Sequence, residues 1–395
     1  MTWWARGHRC TAGPGPTVPP MATPVDILGL TSEQFAQAAA LAVGQGSGVA
    51  GRLYREAHRE GRFEPERSAP ASAPRWRAAF TLGHLRVVKV VEEDGPLGLT
   101  AKAVLATHDG YEIECVRIPM RLVPTDGEGE PVQEHTLCLS SQVGCRMACA
   151  FCETGKMGLI RHLTAGEIVA QVATVRAALG WEPKNLVFMG MGEALDNTAA
   201  LIPALHALTD KRGMMFSHER ITVCTSGHAE GIAALKALGW KRLNLSISLN
   251  GARDELRSRL MPVNKATPLA ELQRILCDFP QRRNFSLGVN WCLMPGFNDT
   301  RQDATEIAAF VRPMQRALLN LIPYNPGSYP LTRAPTEDEI DRFIGWLRDE
   351  GLAVRRRITK GRSIMAACGQ LGNLELRAKR LPGGRPGRQV DMADG

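Results

Sequence analysis

Cys145, Cys149 and Cys152 stand at the spacing C-x3-C-x2-C in Cys145-Arg-Met-Ala-Cys149-Ala-Phe-Cys152. Three thiolates converging from one short loop can ligate three irons of a 4Fe–4S cluster, a group otherwise usually held by four cysteines. With three ligands, one iron is left open to a substrate or cofactor. The bland alternative is a buried trio of small hydrophobes, but glycines flank the run and polar residues interrupt it. Zinc is the sharper rival, since it also takes cysteine clusters. It would need a fourth ligand nearby, and the uneven spacing does not read as paired CxxC knuckles.

Further residues stand where chemistry could use them. Gly190-Met-Gly-Glu193 closes a strand. Its glycines let backbone approach a ligand closely, and Glu193 can accept hydrogen bonds from an ammonium group. Without a ligand it would be an ordinary strand-end turn. Ser248-Leu249-Asn250 and Asn325 end two other strands, although Ser and Asn are also common turn residues. Cys138 lies seven residues before Cys145, and Cys368 lies in Ala366-Ala-Cys368-Gly-Gln-Leu371. Such cysteines are often inert packing. Alternatively they are a nucleophilic thiolate and a partner thiol, able to form a disulfide where geometry allows. Glu114 alternates along a strand, where a solvated face is its ordinary reading. Cys10, Cys115, Cys277 and Cys292 have no comparable context and read as structural.

The elements that must position these residues follow from periodicity. Residues 26–63 read as short helices, with a capping signal at Thr31 and with Phe35, Ala39 and Leu41 facing a small core. Residues 64–76 read as a Pro/Ser/Ala linker, and 79–120 as strands, Tyr111–Ile118 alternating as a sheet strand should. After an acidic loop at 126–130, strands and helices alternate from Leu137 to Ile358 in six or seven units, with a capping box at Thr164-Ala-Gly-Glu167. That pattern predicts a parallel sheet with right-handed crossovers, as an open or partial (β/α) barrel. Chemistry in such barrels sits at the C-terminal ends of the strands, where the cysteine loop falls.

A chain of 395 residues accommodates one large catalytic domain and a smaller one. The expected divisions are a disordered lead-in (1–20), an accessory domain (21–122), a catalytic domain (123–376) and a basic flexible tail (377–395). Met21 is an alternative start. With 44% hydrophobic and 22% charged residues the chain reads as an ordinary soluble protein, and no stretch reaches the roughly 20 apolar residues of a membrane span. Ten cysteines in so long a chain, three of them clustered, favour metal or redox chemistry in a reducing cytoplasm over a disulfide framework. The net charge of +8 favours an anionic partner such as nucleic acid. The basic clusters Arg355–Arg362 and Arg377–Arg388 read either as solvated faces or as phosphate contacts.

Taken together, the motifs resemble the RlmN/Cfr family of radical S-adenosylmethionine RNA methyltransferases. The resemblance rests on Leu137-Cys-Leu-Ser-Ser-Gln-Val-Gly-Cys145, the three-cysteine run, Gly190-Met-Gly-Glu193, Asn320-Leu-Ile-Pro-Tyr-Asn325 and Ala366-Ala-Cys-Gly-Gln-Leu371, in the family's order over residues 137–371. It implies a radical-SAM-type partial barrel, preceded by a small α+β accessory domain. It also implies a 4Fe–4S cluster on Cys145, Cys149 and Cys152, and S-adenosylmethionine contacted by Gly192, Glu193, Ser248, Leu249 and Asn325. The family's reaction methylates the thiol at the Cys368 position. A 5′-deoxyadenosyl radical then takes hydrogen from the S-methyl group, and the methylene radical adds to an adenine ring carbon. A base removes the ring proton, and the thiol at the Cys138 position resolves the covalent adduct as a disulfide. The proton acceptor falls at Glu114 or Cys138.

Implied partners are rRNA or tRNA and a reductant for the cluster and the disulfide. No membrane is involved, and the enzyme is expected as a monomer. The same chemistry on another substrate, or a non-catalytic Fe–S or zinc RNA-binding module, are the alternatives. The chain departs from the family at Asn250 (usually His), Gly251 (usually Ala) and Cys224 (usually Ser), which marks a divergent branch.

Overall fold

The computed structural model describes residues 23–44, 47–123, 131–280, 287–314 and 316–373. The expected lead-in, the acidic loop, the basic tail and Cys10 lie outside them.

The chain begins with β1 (Val25–Asp26) and a helical unit: α1 (Ser32–Val43), α2 (Ser47–Arg55), α3 (Pro65–Ser68) and α4 (Ala73–Ala79). The capping signal at Thr31 is realised as a reciprocal box with Gln34. Phe35, Ala39 and Val43, spaced by one helical turn, are buried. Leu41, expected beside them, is 87% exposed, because two residues past Ala39 turn the helix by about 200°. The expected linker at 64–76 is helical instead: proline opens both α3 and α4, where its missing N–H costs nothing. Trp76 on α4 is fully buried, with its ring 5.9 Å from that of Phe35 and 5.8 Å from that of Phe80. Ile27, Leu53 and Tyr54 complete a core separate from the main one.

Strands follow: β2 (Phe80–Thr81), β3 (Arg86–Glu93), β4 (Thr100–Ala106), β5 (Glu112–Val123) and β6 (Val132–Cys138). A hairpin of β7 (Gln142–Gly144) and β8 (Leu159–His162) encloses the cysteine loop and the short α5 (Glu153–Met157). Alternation then runs α6 (Ala165–Leu179), β9 (Asn185–Phe188), α7 (Thr198–Thr209), β10 (Ile221–Thr225), α8 (Ala229–Ala237), β11 (Asn244–Ser248), α9 (Asp254–Leu260), α10 (Leu269–Cys277), β12 (Leu287–Leu293), α11 (Arg301–Val311), β13 (Ala317–Pro323), α12 (Glu337–Asp349) and β14 (Val354–Arg356).

One ten-stranded sheet runs β14-β13-β12-β11-β10-β9-β6-β5-β4-β3. From β6 through β9 to β14 every pairing is parallel; from β6 to β3 every pairing is antiparallel. β6 pairs with β5 rather than closing onto β14, so the barrel is partial, as expected. Three front strands, β3, β4 and β5, continue the same sheet and share its core through Ala103, Leu105 and Ile113.

Register places the polar residues. Ser248, Asn290 and Asn320 are partners across β11, β12 and β13. Their neighbours Ile247, Val289, Leu319 and Leu321 are buried on the opposite face, because side chains alternate along a strand. Apolar residues thus pack under the helices, each large one contributing about 1.5–3 kcal/mol, while a polar row faces the barrel interior. Among the described residues no helix is long and apolar enough to cross a membrane.

Candidate active site

The cysteine loop leaves β7 with the Cys145 amide bonded to the Gly158 carbonyl at 3.0 Å. Ala148 takes a left-handed conformation (φ 52°), and Cys152 N–H returns to the Cys149 carbonyl at 3.1 Å. The Ala150 amide, bonded to the Leu260 carbonyl at 2.9 Å, ties the loop to the end of α9. Burial raises the pKa of all three thiols; at Cys149 the neighbouring Cys152 and Cys145 raise it further. Converging groups that repel one another as thiolates suit a cationic centre. Among the described residues, the only trio whose metal-binding atoms all lie within 4.8 Å of one another is His108, Asp109 and Glu167. The three cysteine sulfurs therefore do not all lie within 4.8 Å of one another, whereas the ligands of a tetrahedral zinc with 2.3 Å bonds would stand about 3.8 Å apart. A polynuclear cluster suits them better than zinc. Arg161 binds both Asp109 and Glu167, at 2.7 Å each, and neutralises that trio.

Gly190, Gly192 and Glu193 follow β9 and line one cavity with the three cysteines. Gly192 has φ +100°, and a Cβ there would lie 2.6 Å from the Gln142 side chain, so only glycine fits. Glu193 is buried, which raises its pKa, opposed by bonds from the Ser226 amide and hydroxyl, each at 2.8 Å. Gln142 holds the turn by accepting from the Glu193 amide at 2.8 Å.

Ser248 and Asn250 reach the same cavity; Leu249 does not line it. The Leu249 side chain is fully buried, and its carbonyl accepts from Arg257 Nε at 3.0 Å. Arg257, missed in the sequence, is wholly buried and also donates to the Ser226 carbonyl (2.5 Å) and Asn264 Oδ1 (2.8 Å). Burial lowers its pKa to about 10, partly opposed by Cys149 and Asp254. It fixes the ends of β10 and β11 together. At Gly251 a Cβ would stand 2.9 Å from Arg257 Cα, which explains glycine there. Asn250 has φ 53°, a conformation asparagine tolerates, and its Oδ1 accepts from the Cys292 amide at 2.8 Å. Cys224 and Cys292 line the cavity too; Cys292, read in the sequence as structural, forms part of its wall. Cys224 accepts from Asn290 Nδ2 at 3.4 Å and lies 3.7 Å from Ser248 Oγ.

Cys368 is exposed, on the loop after β14, and lines this cavity. Its carbonyl accepts from Asn325 Nδ2 at 3.5 Å, and Asn325 in turn accepts from Arg362 at 3.0 Å. Asn325 thus braces the Cys368 loop and is absent from the cavity lining. Cys138, at the end of β6, is a buried free thiol. Burial raises its pKa, and the next cause is the charge of Cys368. Glu114 lies elsewhere: on β5, paired with Lys102 at 2.8 Å, it opens into a second cavity. Both residues hold the Cys368 loop, Lys102 Nζ donating to the Met365 carbonyl (3.0 Å) and Glu114 accepting from the Gly372 amide (2.7 Å). In the basic cluster, Arg356 is paired with Glu337 at 2.6 Å and Lys360 binds the Pro119 carbonyl, so it is not uniformly free for phosphate.

Residues 139–310 match the model of the radical SAM superfamily. A crystal structure of a radical SAM methyltransferase from Sphaerobacter thermophilus superposes with TM-score 0.74 and 32% identity, over 88% of this chain and 99% of that one. A "probable dual-specificity RNA methyltransferase RlmN 1" of Protochlamydia amoebophila is 37% identical, over 90% of this chain and 96% of its own. The chain belongs to the RlmN family of radical S-adenosylmethionine RNA methyltransferases. The dual-specificity RNA methyltransferase RlmN of Syntrophotalea carbinolica is 41% identical over 72% of this chain and 73% of its own. RlmN membership implies a 4Fe–4S cluster and S-adenosylmethionine.

Proposed function

We propose that this enzyme methylates a ring carbon, C2 or C8, of an adenosine in rRNA or tRNA, with Cys368 carrying the methyl group as S-methylcysteine. One observation carries the reading: an exposed thiol, Cys368, lines the same cavity as the three clustered cysteines. Cys145, Cys149 and Cys152 would hold the 4Fe–4S cluster. Gly192, Glu193 and Ser248 line the space for S-adenosylmethionine; Leu249 and Asn325 would act through backbone and loop. A bound cluster would supply the single electron that reductive cleavage of S-adenosylmethionine requires, chemistry no side chain can provide.

The chain's own residues do the rest. Cys368 accepts the methyl group at sulfur, its thiol proton leaving as the new sulfur–carbon bond forms, and its exposure leaves the sulfur accessible to the methyl donor. Glu114 takes the proton from the adenine carbon. Cys138, losing its proton, attacks the Cys368 sulfur: the S–S bond forms as the sulfur–carbon bond breaks, the methylene carbon takes up a proton to become the methyl group of the released base, and the unpaired electron left by radical addition passes to a one-electron acceptor, a role the oxidised cluster would fill. Burial keeps Cys138 a neutral thiol until that step exposes it. An external reductant then restores both thiols. The net charge of +8 suits an RNA partner.

Anaerobically reconstituted protein, incubated with RNA and a labelled methyl donor, should yield 2- or 8-methyladenosine after nuclease digestion. Label confined to a phosphate, a ribose or an exocyclic nitrogen would overturn the reading.

A further inference from the structure

Gln142 stands on β7, just ahead of Cys145, and is fully buried. Its amide has two different ends, and both are used. Oε1 accepts from the Glu193 amide at 2.8 Å, while Nε2 donates to Asp196 Oδ2 at 2.8 Å and lies 3.1 Å from His162 Nδ1. The two ends of a glutamine amide have nearly the same shape, so its partners decide which way it faces. A backbone N–H can only donate, and a carboxylate can only accept. Asp196 therefore fixes Nε2 on its own side and turns Oε1 toward Glu193.

Asp196 uses its two oxygens on two different segments. Oδ2 takes Gln142, and Oδ1 takes Arg146, whose Nε stands 3.0 Å away. Arg146 follows Cys145 directly, so one carboxylate grips both the three-cysteine loop and the side chain that holds the glycine turn. The Asp196 side chain is 1% exposed. An exposed ion pair contributes little, whereas a buried carboxylate that loses its partners is strongly destabilising. The main chain ties the same residues together: the Asp196 amide donates to the Glu193 carbonyl at 3.1 Å, and the Leu195 amide to Glu193 Oε1 at 3.2 Å. His228, whose Nδ1 accepts from the Gly231 amide, turns Nε2 toward Asp196 Oδ1 at 3.6 Å.

We propose that Asp196 is a positioning residue: through Gln142 it holds the Glu193 turn in place against the three-cysteine loop, and so sets the S-adenosylmethionine site. The second half rests on the reading that Glu193 contacts that cofactor.

The test has two readouts. One is amide hydrogen exchange of the peptide containing Glu193, in the full chain without cofactors. The other is steady-state RNA methylation by the reconstituted protein. Asp196→Ala should speed Glu193 exchange about tenfold, with exchange in α12 unchanged. It should raise the KM for S-adenosylmethionine about tenfold, the order expected for one hydrogen bond, with kcat within about twofold. Gln142→Glu sets two carboxylates against each other and should be at least as damaging. The double variant Gln142→Glu/Asp196→Asn exchanges donor and acceptor at unchanged charge, and should return both readouts to within about twofold of wild type. Wild-type exchange at Glu193 in Asp196→Ala, or equal acceleration in α12, would overturn the proposal. If Asp196→Ala fails to fold, a double variant no better than Gln142→Glu alone would rule it out. Faster Glu193 exchange at an unchanged KM would uphold the grip of Asp196 on the turn and refute the reading that Glu193 contacts S-adenosylmethionine.

Discussion

Glu153 donates its backbone amide to the Gly369 carbonyl at 2.8 Å, so the residue after Cys152 is bound to the residue after Cys368. A second tie, from Thr154 Oγ1 to the Leu371 carbonyl at 2.5 Å, runs parallel to it. From the opposite side Lys102 and Glu114 hold Met365 and Gly372. The Cys368 loop is thus clamped between the three-cysteine loop and the front strands, and the thiol is positioned by the backbone on both sides of it.

Cys138→Ala should leave the covalent link between Cys368 and RNA unresolved, because no thiol remains at the end of β6 to break it. A protein–RNA adduct should accumulate on denaturing gels. Turnover at the normal rate, without adduct, would show that Cys138 is not the resolving thiol.

Glu114→Gln keeps the shape but removes the proposed base. General-base contributions are typically about 10²–10⁴, so RNA methylation should fall by that order while Cys368 still acquires its methyl group. Undiminished RNA product would assign proton removal to another residue.

Arg257→Met should destabilise the fold by about 3 kcal/mol, because the carbonyls of Ser226 and Leu249 and the Asn264 amide oxygen lose their donor. The urea midpoint should fall at unchanged slope. A shift below about 0.5 kcal/mol, as at ordinary surface sites, would mean that the guanidinium holds nothing.

Much of the site was legible because its signals are local. The C-x3-C-x2-C run, the capping boxes at Thr31 and Thr164 and the glycine turn after β9 each lie within a few residues of chain. Arg257 and Gln171 were not legible, because their partners are distant: Arg257 reaches back 31 residues to Ser226, and Gln171 back 31 residues to clamp the Ser140 backbone. A polar residue inside a buried strand, such as Asn290, was the available hint of an in-facing row. The Pro/Ser/Ala composition at 64–76 misled because proline opens helices as readily as it fills loops. Nothing local revealed that Glu114 and Cys368 face different cavities, since a loop 254 residues downstream separates them.

His58 gives the fold a predictable pH dependence. Burial lowers its pKa from 6.5 to about 4, with the Ile27 carbonyl and Asp210 opposing. A depressed base binds fewer protons folded than unfolded, so stability should fall as pH drops from 6.5 to about 4. At 1.36 kcal/mol per pKa unit the loss is on the order of 3 kcal/mol. His58→Gln should flatten that limb of the stability–pH curve, and identical curves for the two proteins would contradict it.

The most direct test is mass spectrometry of the Cys368 peptide from protein made with an intact cluster. A methyl group on the Cys368 sulfur is the predicted result, absent from Cys138 and from Cys224. An unmodified Cys368 in protein that nevertheless methylates RNA would contradict the S-methylcysteine mechanism.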